Sequence, residues 1–209
     1  MKKRIFAMSF HIKFRNGMIS NPHQDQEYHQ RYLINTNPRY NSMEKSSQTI
    51  TLLKTSNIME KPNKTRIYNL IILDKSSSMH NIHKAAYEGC NEVLNGIRAA
   101  AEKHSENQEQ FVSLLLFDTE SMPYIHKCTP AKDVTNLREK QYRPCACTPL
   151  LDAMGMSLTE LEQETDKYDD AVGMVTIITD GYENASKEYT YPQIRTLVDR
   201  LKHKGWNFA

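Results

Sequence analysis

The sequence predicts an α/β fold, with a doubly wound, mostly parallel sheet and helices on both faces. Short apolar segments alternate with longer segments in which apolar residues recur every three or four positions, as strands and helices do in such folds. Two short segments, 67–73 and 172–179, are apolar along most of their length, which is typical of parallel strands buried on both faces. The 209 residues suffice for one domain with a sizeable core, plus an extension.

The first elements are predicted between residues 65 and 128. A strand at 67–73 leads into an amphipathic helix at 82–101, whose apolar residues keep helical spacing. A second apolar strand is predicted at 111–117. A short third strand at 123–128 belongs at the sheet edge, because Pro123 has no backbone N–H to donate to a neighbour.

The remaining elements follow the same alternation. A brief helix is predicted at 133–138, and a longer one at 150–164, where leucine and methionine repeat at three- and four-residue intervals. The strand at 172–179 then precedes a last helix around 194–201, which carries apolar residues at helical spacing.

Residues 1–62 differ from the rest of the chain. They are rich in Asn, Gln, Ser, His and Lys and lack the apolar density of a core. We therefore expect a poorly structured N-terminal extension before a domain at 63–209. The alternating segment 10–14 could form one short strand. In an alternative interpretation, the extension lies upstream of the functional domain, with a start at Met43 or Met59.

Composition excludes several classes of function. The net charge of +2 is too small to indicate nucleic-acid binding, and the longest basic run is Lys2-Lys3-Arg4. No apolar stretch approaches the ~20 residues that span a bilayer. The apolar run at the N-terminus stops by Phe10, which is too short for a secretory signal. A cytoplasmic protein that does not bind membranes is the expectation.

The cysteines are too few and too scattered for a disulfide framework. Cys90, on a predicted helix, and Cys128, near a strand end, are expected to be buried small hydrophobic residues. Cys145 and Cys147 are interpreted as two loop thiols. A zinc or redox role for them is the less favoured alternative, because no second Cys/His pair stands at zinc-like spacing.

The end of the first strand carries the most informative motif. The apolar segment 69–73 runs directly into Asp74, and hydroxyl side chains follow at Ser76 and Ser78. Ligands of open α/β sheets bind where parallel strands end. One carboxylate and two neutral oxygens around a point suit a hard cation such as Mg²⁺, which takes oxygen ligands and keeps water.

This Asp-x-Ser-x-Ser spacing resembles the metal-ion-dependent adhesion site (MIDAS) of von Willebrand factor A (vWA) domains. Two later segments support the resemblance over about residues 65–209: Thr148 opens a helix, and the strand at 172–179 ends in Asp180 and a glycine. The sequence is most similar to bacterial single-domain vWA proteins, a family with a Rossmann-like doubly wound sheet. The resemblance implies the strand order three-two-one-four with a short antiparallel edge strand.

The resemblance also implies the roles of the site residues. Ser76 and Ser78 would ligate Mg²⁺ or Mn²⁺ directly, whereas Asp74, Thr148 and Asp180 would act directly or through water. The last coordination position would be taken by water or by an Asp or Glu of a partner protein.

Each ligand position also has a purely structural interpretation. Asp74, Ser76 and Ser78 are typical helix N-cap residues, Thr148 could cap a helix, and Asp180 could belong to a tight turn. The metal site is favoured because all three segments occur in the order that the family shows. Lys75 and Ser77 are expected to point elsewhere, and Glu183 and Asn184 to lie in a solvated turn at the rim. One departure is Cys145-Ala146-Cys147, where related sequences tend to carry glycine.

The end of the chain predicts an incomplete sheet relative to this family. Gly205 is placed to cap the last helix, and 206–209 resemble the first residues of a fifth strand. With the last strands missing, the edge of the strand at 172–179 would be exposed. Exposed edges pair with other chains, so self-association through this edge is expected.

The sequence favours a divalent-metal-dependent protein-binding module over an enzyme. The alternative is a metal-dependent hydrolase or phosphotransferase, with His80 or His83 as a base. Against catalysis, the chain has no Gly-rich phosphate loop, no second acid beside Asp74 and no Gly-x-Ser-x-Gly elbow. A further alternative is a non-functional gene fragment.

Overall fold

The computed structural model describes residues 64–180 and 182–209, which form an α/β unit around a five-stranded sheet. The strands are β1 (Thr65–Asp74), β2 (Gln108–Phe117), β3 (Tyr124–Pro130), β4 (Ala171–Ile178) and β5 (Asn207–Phe208). The helices are α1 (His83–Lys103), α2 (Leu150–Thr165) and α3 (Tyr191–His203). The predictions for residues 1–62, for a boundary at residue 63 and for a turn at Gly181 lie outside the described residues.

The sheet has the strand order β3-β2-β1-β4-β5. β1 is parallel to β2 and to β4, β5 is parallel to β4, and β3 runs antiparallel to β2 at one edge. The mostly parallel sheet and its antiparallel edge strand are as predicted. Because β2, β1 and β4 are parallel neighbours, the loops that follow these three strands leave the sheet at the same end.

Alternate residues of β1 face opposite sides of the sheet. Leu70 and Ile72 pack in a core with side chains of α2 and α3, whereas Ile71 and Leu73 pack in a second core with side chains of α1. Helices therefore cover both faces. No helix within the described residues combines the length and apolar character needed to cross a membrane.

Part of the β4 edge is covered by β5. Met174 and Val175 pair with the two residues of β5, and the indole of Trp206 lies on Gly173, where an added Cβ would come within 2.4 Å of the ring. The prediction that 206–209 begin a fifth strand is confirmed. The prediction of a bare β4 edge is wrong over this stretch, because Gly173 leaves room for the indole that anchors β5.

The helix predicted at 133–138 is not present. Asp133 ends a short 3₁₀ turn, Ala131–Asp133, and residues 134–138 have no regular secondary structure before a second turn, Glu139–Gln141. The Leu137 N–H donates to Asn91 Oδ1 at 2.9 Å, and Asn91 Nδ2 donates to the Leu137 carbonyl at 3.1 Å. A side chain of α1 thus satisfies backbone groups that a helix would have paired internally.

The two scattered cysteines differ in burial. Cys90 is fully buried in α1, as predicted. Cys128 is only half-buried, so the prediction of a buried residue is wrong there. Its backbone has a positive φ of 45°, and its N–H donates to the Ser113 hydroxyl at 2.9 Å, which places it at an irregular point of the β2–β3 ladder.

Candidate metal site

Asp74 is the last residue of β1, and its carboxylate is completely buried. Oδ1 accepts a hydrogen bond from the Ser76 backbone N–H at 2.7 Å, which turns the chain back immediately after the strand. Oδ2 accepts a hydrogen bond from the Thr179 hydroxyl at 2.6 Å. The carboxylate is therefore held from two sides, by its own loop and by the end of β4.

A chain of oxygen atoms leads outward from this buried acid. The hydroxyls of Ser76 and Ser78 lie 3.1 Å apart, and Ser78 Oγ donates to Asp180 Oδ1 at 3.0 Å. Ser76 is buried, whereas Ser78 and Asp180 are exposed. The structure thus brings together these four predicted residues from the ends of two strands that are neighbours in the sheet.

Thr148 is also buried, but the hydrogen bonds that it forms with other described residues involve its backbone groups. Its N–H donates to Asn184 Oδ1 at 2.9 Å, and the Asn184 N–H donates to the Thr148 carbonyl at 3.2 Å. These bonds tie Thr148 to the chain that follows Asp180. The structure does not join its hydroxyl to the other four residues by a hydrogen bond.

The capping alternatives fit the structure poorly. The 3₁₀ turn Ser77–Ile82 begins after Ser76 without a side-chain cap, and α2 begins after Pro149 rather than after Thr148. The first turn of α2 is instead held by Glu183, whose Oε2 accepts the Leu151 N–H at 2.9 Å.

Glu183 and Asn184 were predicted to lie in a solvated turn at the rim, and Asn184 is indeed exposed, whereas Glu183 is not fully solvated. Glu183 is half-buried, and its Oε1 accepts the N–H groups of Ala185 and Ser186 at 2.9 and 2.7 Å. Burial alone would raise the pKa of Glu183, but these hydrogen bonds, with those from the Ser186 hydroxyl and Leu151, hold it below its usual value. The loop after β4 is therefore fixed to the start of α2.

Lys75 points away from the predicted ligands, as expected, and forms a buried ion pair with Asp118. Asp118 follows β2 directly and is almost completely buried, and its Oδ1 accepts the N–H groups of Glu120 and Ser121 at 2.8 Å each. Burial alone would raise the pKa of Asp118. Hydrogen bonds from Lys75, from Cys145 and from the two amides outweigh burial and hold the pKa below its usual value.

The segment 145–147 bridges the loops after β1 and β2. The Cys145 N–H donates to the Lys75 carbonyl at 2.7 Å, and the Ser77 N–H donates to the Ala146 carbonyl at 3.0 Å. On the other side, the Thr119 N–H donates to the Cys147 carbonyl at 3.3 Å. Ala146 has a φ of 57°, a left-handed conformation that favours glycine.

Sequence reasoning did not find a second group of potential metal ligands beside this segment. One ligand atom each of Asp118, Glu120 and Cys145 lie within 4.8 Å of one another. The Cys145 thiol donates to Asp118 at 3.1 Å, and this hydrogen bond, followed by burial, raises the pKa of the thiol to about 11. Lys75 already balances the negative charge of Asp118, so a metal ion is less favoured at this second group of ligands.

Two residues of the Asp74 environment were also missed. Thr179 adjoins Asp180 in sequence, and a hydroxyl at a strand end was a usable signal. Tyr142 lies far from any motif, yet its hydroxyl donates to the Asp74 carbonyl at 2.7 Å. Burial, and after it the negative charges of Asp74 and Asp180, raise the pKa of Tyr142 above its usual value. The carboxylates of Asp74 and Asp180 therefore both lie close enough to act electrostatically on the buried Tyr142 hydroxyl.

The two histidines considered as bases lie in different environments. His83 Nε2 is 3.0 Å from the Tyr142 carbonyl, and its ring stacks on the Tyr142 ring at 5.2 Å between centroids. His80 is exposed on the 3₁₀ turn.

Comparison with models of known protein families finds no match to this chain, and comparison with curated proteins finds none either. Fold and site therefore define the class only as an α/β protein with a mostly parallel sheet and clustered acidic and hydroxyl side chains at its carboxyl end.

Proposed function

We propose that this chain contains a doubly wound domain of the vWA type that binds a partner protein through a divalent cation. The observation that carries the proposal is the hydrogen-bonded series from Asp74, through the backbone N–H and the hydroxyl of Ser76, to the Ser78 hydroxyl and the Asp180 carboxylate. These residues meet from two strand ends although they are far apart in the sequence. The strand order and the helices on both faces support the family resemblance.

The residues present fit a hard divalent cation. The donors of Asp74, Ser76, Ser78, Thr148 and Asp180 are all carboxylate or hydroxyl oxygens, which Mg²⁺ and Mn²⁺ prefer to nitrogen or sulfur. The ion pairs between described residues do not include Asp74 or Asp180. A buried carboxylate without a cationic side chain is costly, and a bound metal ion would supply the missing positive charge.

The hydrogen bonds of these residues indicate different roles for them in binding a cation. Asp74 orients the loop, because its two oxygens already hold the Ser76 amide and the Thr179 hydroxyl. The hydroxyls of Ser76 and Ser78 keep lone pairs available for direct ligation. Two carboxylates and three neutral oxygens leave a divalent ion able to attract an outside Asp or Glu, which a partner protein would present.

Binding remains favoured over hydrolysis or phosphoryl transfer. His83 is engaged with Tyr142, and His80 lies exposed on the turn after the motif, so neither is placed beside Asp74 as a base. General base catalysis needs a side chain within hydrogen-bond reach of the group that it deprotonates. No observation within the described residues favours catalysis specifically.

Cation affinity provides the direct test. We expect Asp74→Asn and Asp180→Asn each to weaken Mn²⁺ or Mg²⁺ binding by about tenfold or more, because each removes a charge that the ion would meet. Thr148→Val, which keeps the shape and deletes the hydroxyl, should weaken binding less. Asp199→Asn, an exposed change on α3, is the matched control. Calorimetry measures the affinities, and equal binding by all variants would remove the metal site.

Partner capture tests the second half of the proposal. A pull-down with Mg²⁺ should retain a protein that EDTA releases, and Asp180→Ala should lose the same protein. Identification by mass spectrometry then allows acidic residues of the partner to be substituted one at a time. Capture that survives both EDTA and Asp180→Ala would show that the interaction uses another surface.

A further inference from the structure

A groove of about 440 Å³ lies between α2 and the loop that joins β4 to α3. Its floor is formed by α2, one wall by Met122 from the β2–β3 loop, and the other wall by Glu188 and Tyr189. The apolar part of its lining consists of Met122, Met156 and Tyr189. None of these residues belongs to the proposed metal site.

The wall of the groove is fixed by two specific contacts with α2. Asp152 accepts the backbone N–H groups of Lys187, Glu188 and Tyr189 at 2.8 to 2.9 Å. The Tyr189 ring lies on Gly155, where an added Cβ would be 2.3 Å from ring carbons. A glycine inside a helix makes the helix roughly 1 kcal/mol less stable than an alanine would. At position 155 the missing side chain makes room for the Tyr189 ring.

The charge of the groove has one sign. Asp152, Glu160 and Glu188 line it, and the lining residues that the structure describes include no lysine or arginine. Glu160 is partly neutralised from outside by Lys127 at 2.8 Å and by the Tyr124 hydroxyl at 3.0 Å. Glu188 is exposed, and it is absent from the ion pairs between described residues. The groove thus combines the apolar side chains of Met122, Met156 and Tyr189 with acidic side chains.

We propose that this groove binds a lysine or arginine side chain presented by a partner protein. The aliphatic stem of such a side chain would pack on the methionines and on Tyr189, and its charged head would reach Glu188 at the rim. An acidic side chain would be repelled by the rim. A purely apolar side chain would cover the apolar lining but leave Glu188 without a cation, so it fits less well. The proposal does not depend on the metal ion.

The methyl groups of Met122 and Met156 provide local probes for the test. The full chain is labelled with ¹³C-methyl methionine, and the variants Met122→Leu and Met156→Leu assign the two signals. The probe is the capped peptide acetyl-Gly-Arg-Gly-amide, compared with the same peptide carrying norleucine or glutamate. All titrations contain EDTA, which separates this proposal from the metal-dependent one.

We expect the arginine peptide to shift both methyl signals in a saturable way, and the other two peptides to bind at least threefold more weakly. Glu188→Gln should weaken the arginine peptide by a similar factor, whereas Glu106→Gln, an exposed change at the other end of the sheet, should not. Gly155→Ala should displace Tyr189 and abolish the shifts. If that variant fails to fold, Glu188→Gln still decides the matter.

Four results would overturn the proposal, and the first three concern the peptides. These are absence of shifts, equal shifts with norleucine, and equal affinity of the unaltered chain and Glu188→Gln. Shifts produced without any peptide by replacing Lys2, Lys3 and Arg4 with glutamine would also overturn it, because they would assign the groove to the N-terminus of this chain.

Discussion

Asp74 and Asp118 lie at the ends of neighbouring strands, since Asp74 is the last residue of β1 and Asp118 directly follows β2. Both carboxylates are almost completely buried. Each accepts the backbone N–H of the residue two positions later, so each turns its chain in the same way. The two acids differ in what balances their charge.

The charge of Asp118 is balanced within the chain by Lys75, and the Cys145 thiol adds a further hydrogen bond. Asp74 is surrounded instead by the amide of Ser76 and the hydroxyl of Thr179, which are neutral donors. The comparison teaches that burial alone does not mark a cation site. A buried strand-end acid becomes a candidate when the chain itself provides no cation for it.

The largest effect should come from breaking the ion pair on the Asp118 side. Lys75→Met leaves the buried Asp118 charge uncompensated, so we expect a loss of about 3–5 kcal/mol in the free energy of unfolding. The double variant Lys75→Met/Asp118→Asn should recover much of that loss, because asparagine still accepts the loop amides without a charge. Urea unfolding measures both.

Lys84→Met is the matched control for this prediction. Lys84 pairs with Glu88 across one turn of α1, and both side chains are exposed, so its loss should cost well under 1 kcal/mol. A Lys75→Met variant no less stable than Lys84→Met would contradict the buried-pair account. This prediction also shows that Lys75 substitutions are poor controls for metal binding, since they disturb the neighbouring loop.

A smaller effect is expected in acid, where Asp118 becomes protonated. The pKa of Asp118 in the folded chain lies below the usual value for Asp, so ionised Asp118 stabilises the fold above that usual value. This stabilisation is lost as the pH falls through the lowered folded pKa. The stability difference between the unaltered chain and Asp118→Asn should therefore shrink in acid, as followed by urea unfolding at a series of pH values. If the difference in free energy of unfolding between the two chains stayed constant from neutral pH into strong acid, the lowered pKa of Asp118 would be refuted.

The smallest effect concerns the segment that joins the two loops. Ala146 holds a left-handed φ, so Ala146→Gly should relieve strain and stabilise the fold by up to about 1 kcal/mol. The outcome is measured by thermal unfolding. Ala101→Gly, in the regular helix α1, is the control and should destabilise. Destabilisation by Ala146→Gly would mean that the left-handed residue is not strained in its context.

The sequence predicted one side of this comparison and missed the other. Period and apolar content located the ends of β1 and β4, and therefore the positions of Asp74 and Asp180. The Lys75–Asp118 pair joins residues on separate loops, and no local pattern indicates which lysine reaches which acid. Tyr142 escaped for the same reason, because its contact with Asp74 arises only after the sheet has formed, whereas Thr179 had a local signal at the end of β4 that was overlooked.

The errors in the fold have similar causes. The segment 133–138 has apolar residues at helical spacing, but the side chain of Asn91 captures its backbone groups. The β4 edge was expected to be bare because the family resemblance implied that the last strands of the sheet were missing. The fit of Trp206 on Gly173 is a matter of tertiary packing that neither residue reveals alone.

Trp206 has a practical consequence, since it is the single tryptophan of the chain. It is 4% exposed and sits where β5 joins β4, so its emission reports whether the sheet edge is closed. Fluorescence at this indole and helix content by circular dichroism are thus separate readings of one molecule. An edge that opens before the helices unfold would shift the emission first, which makes the order of these events visible without any label.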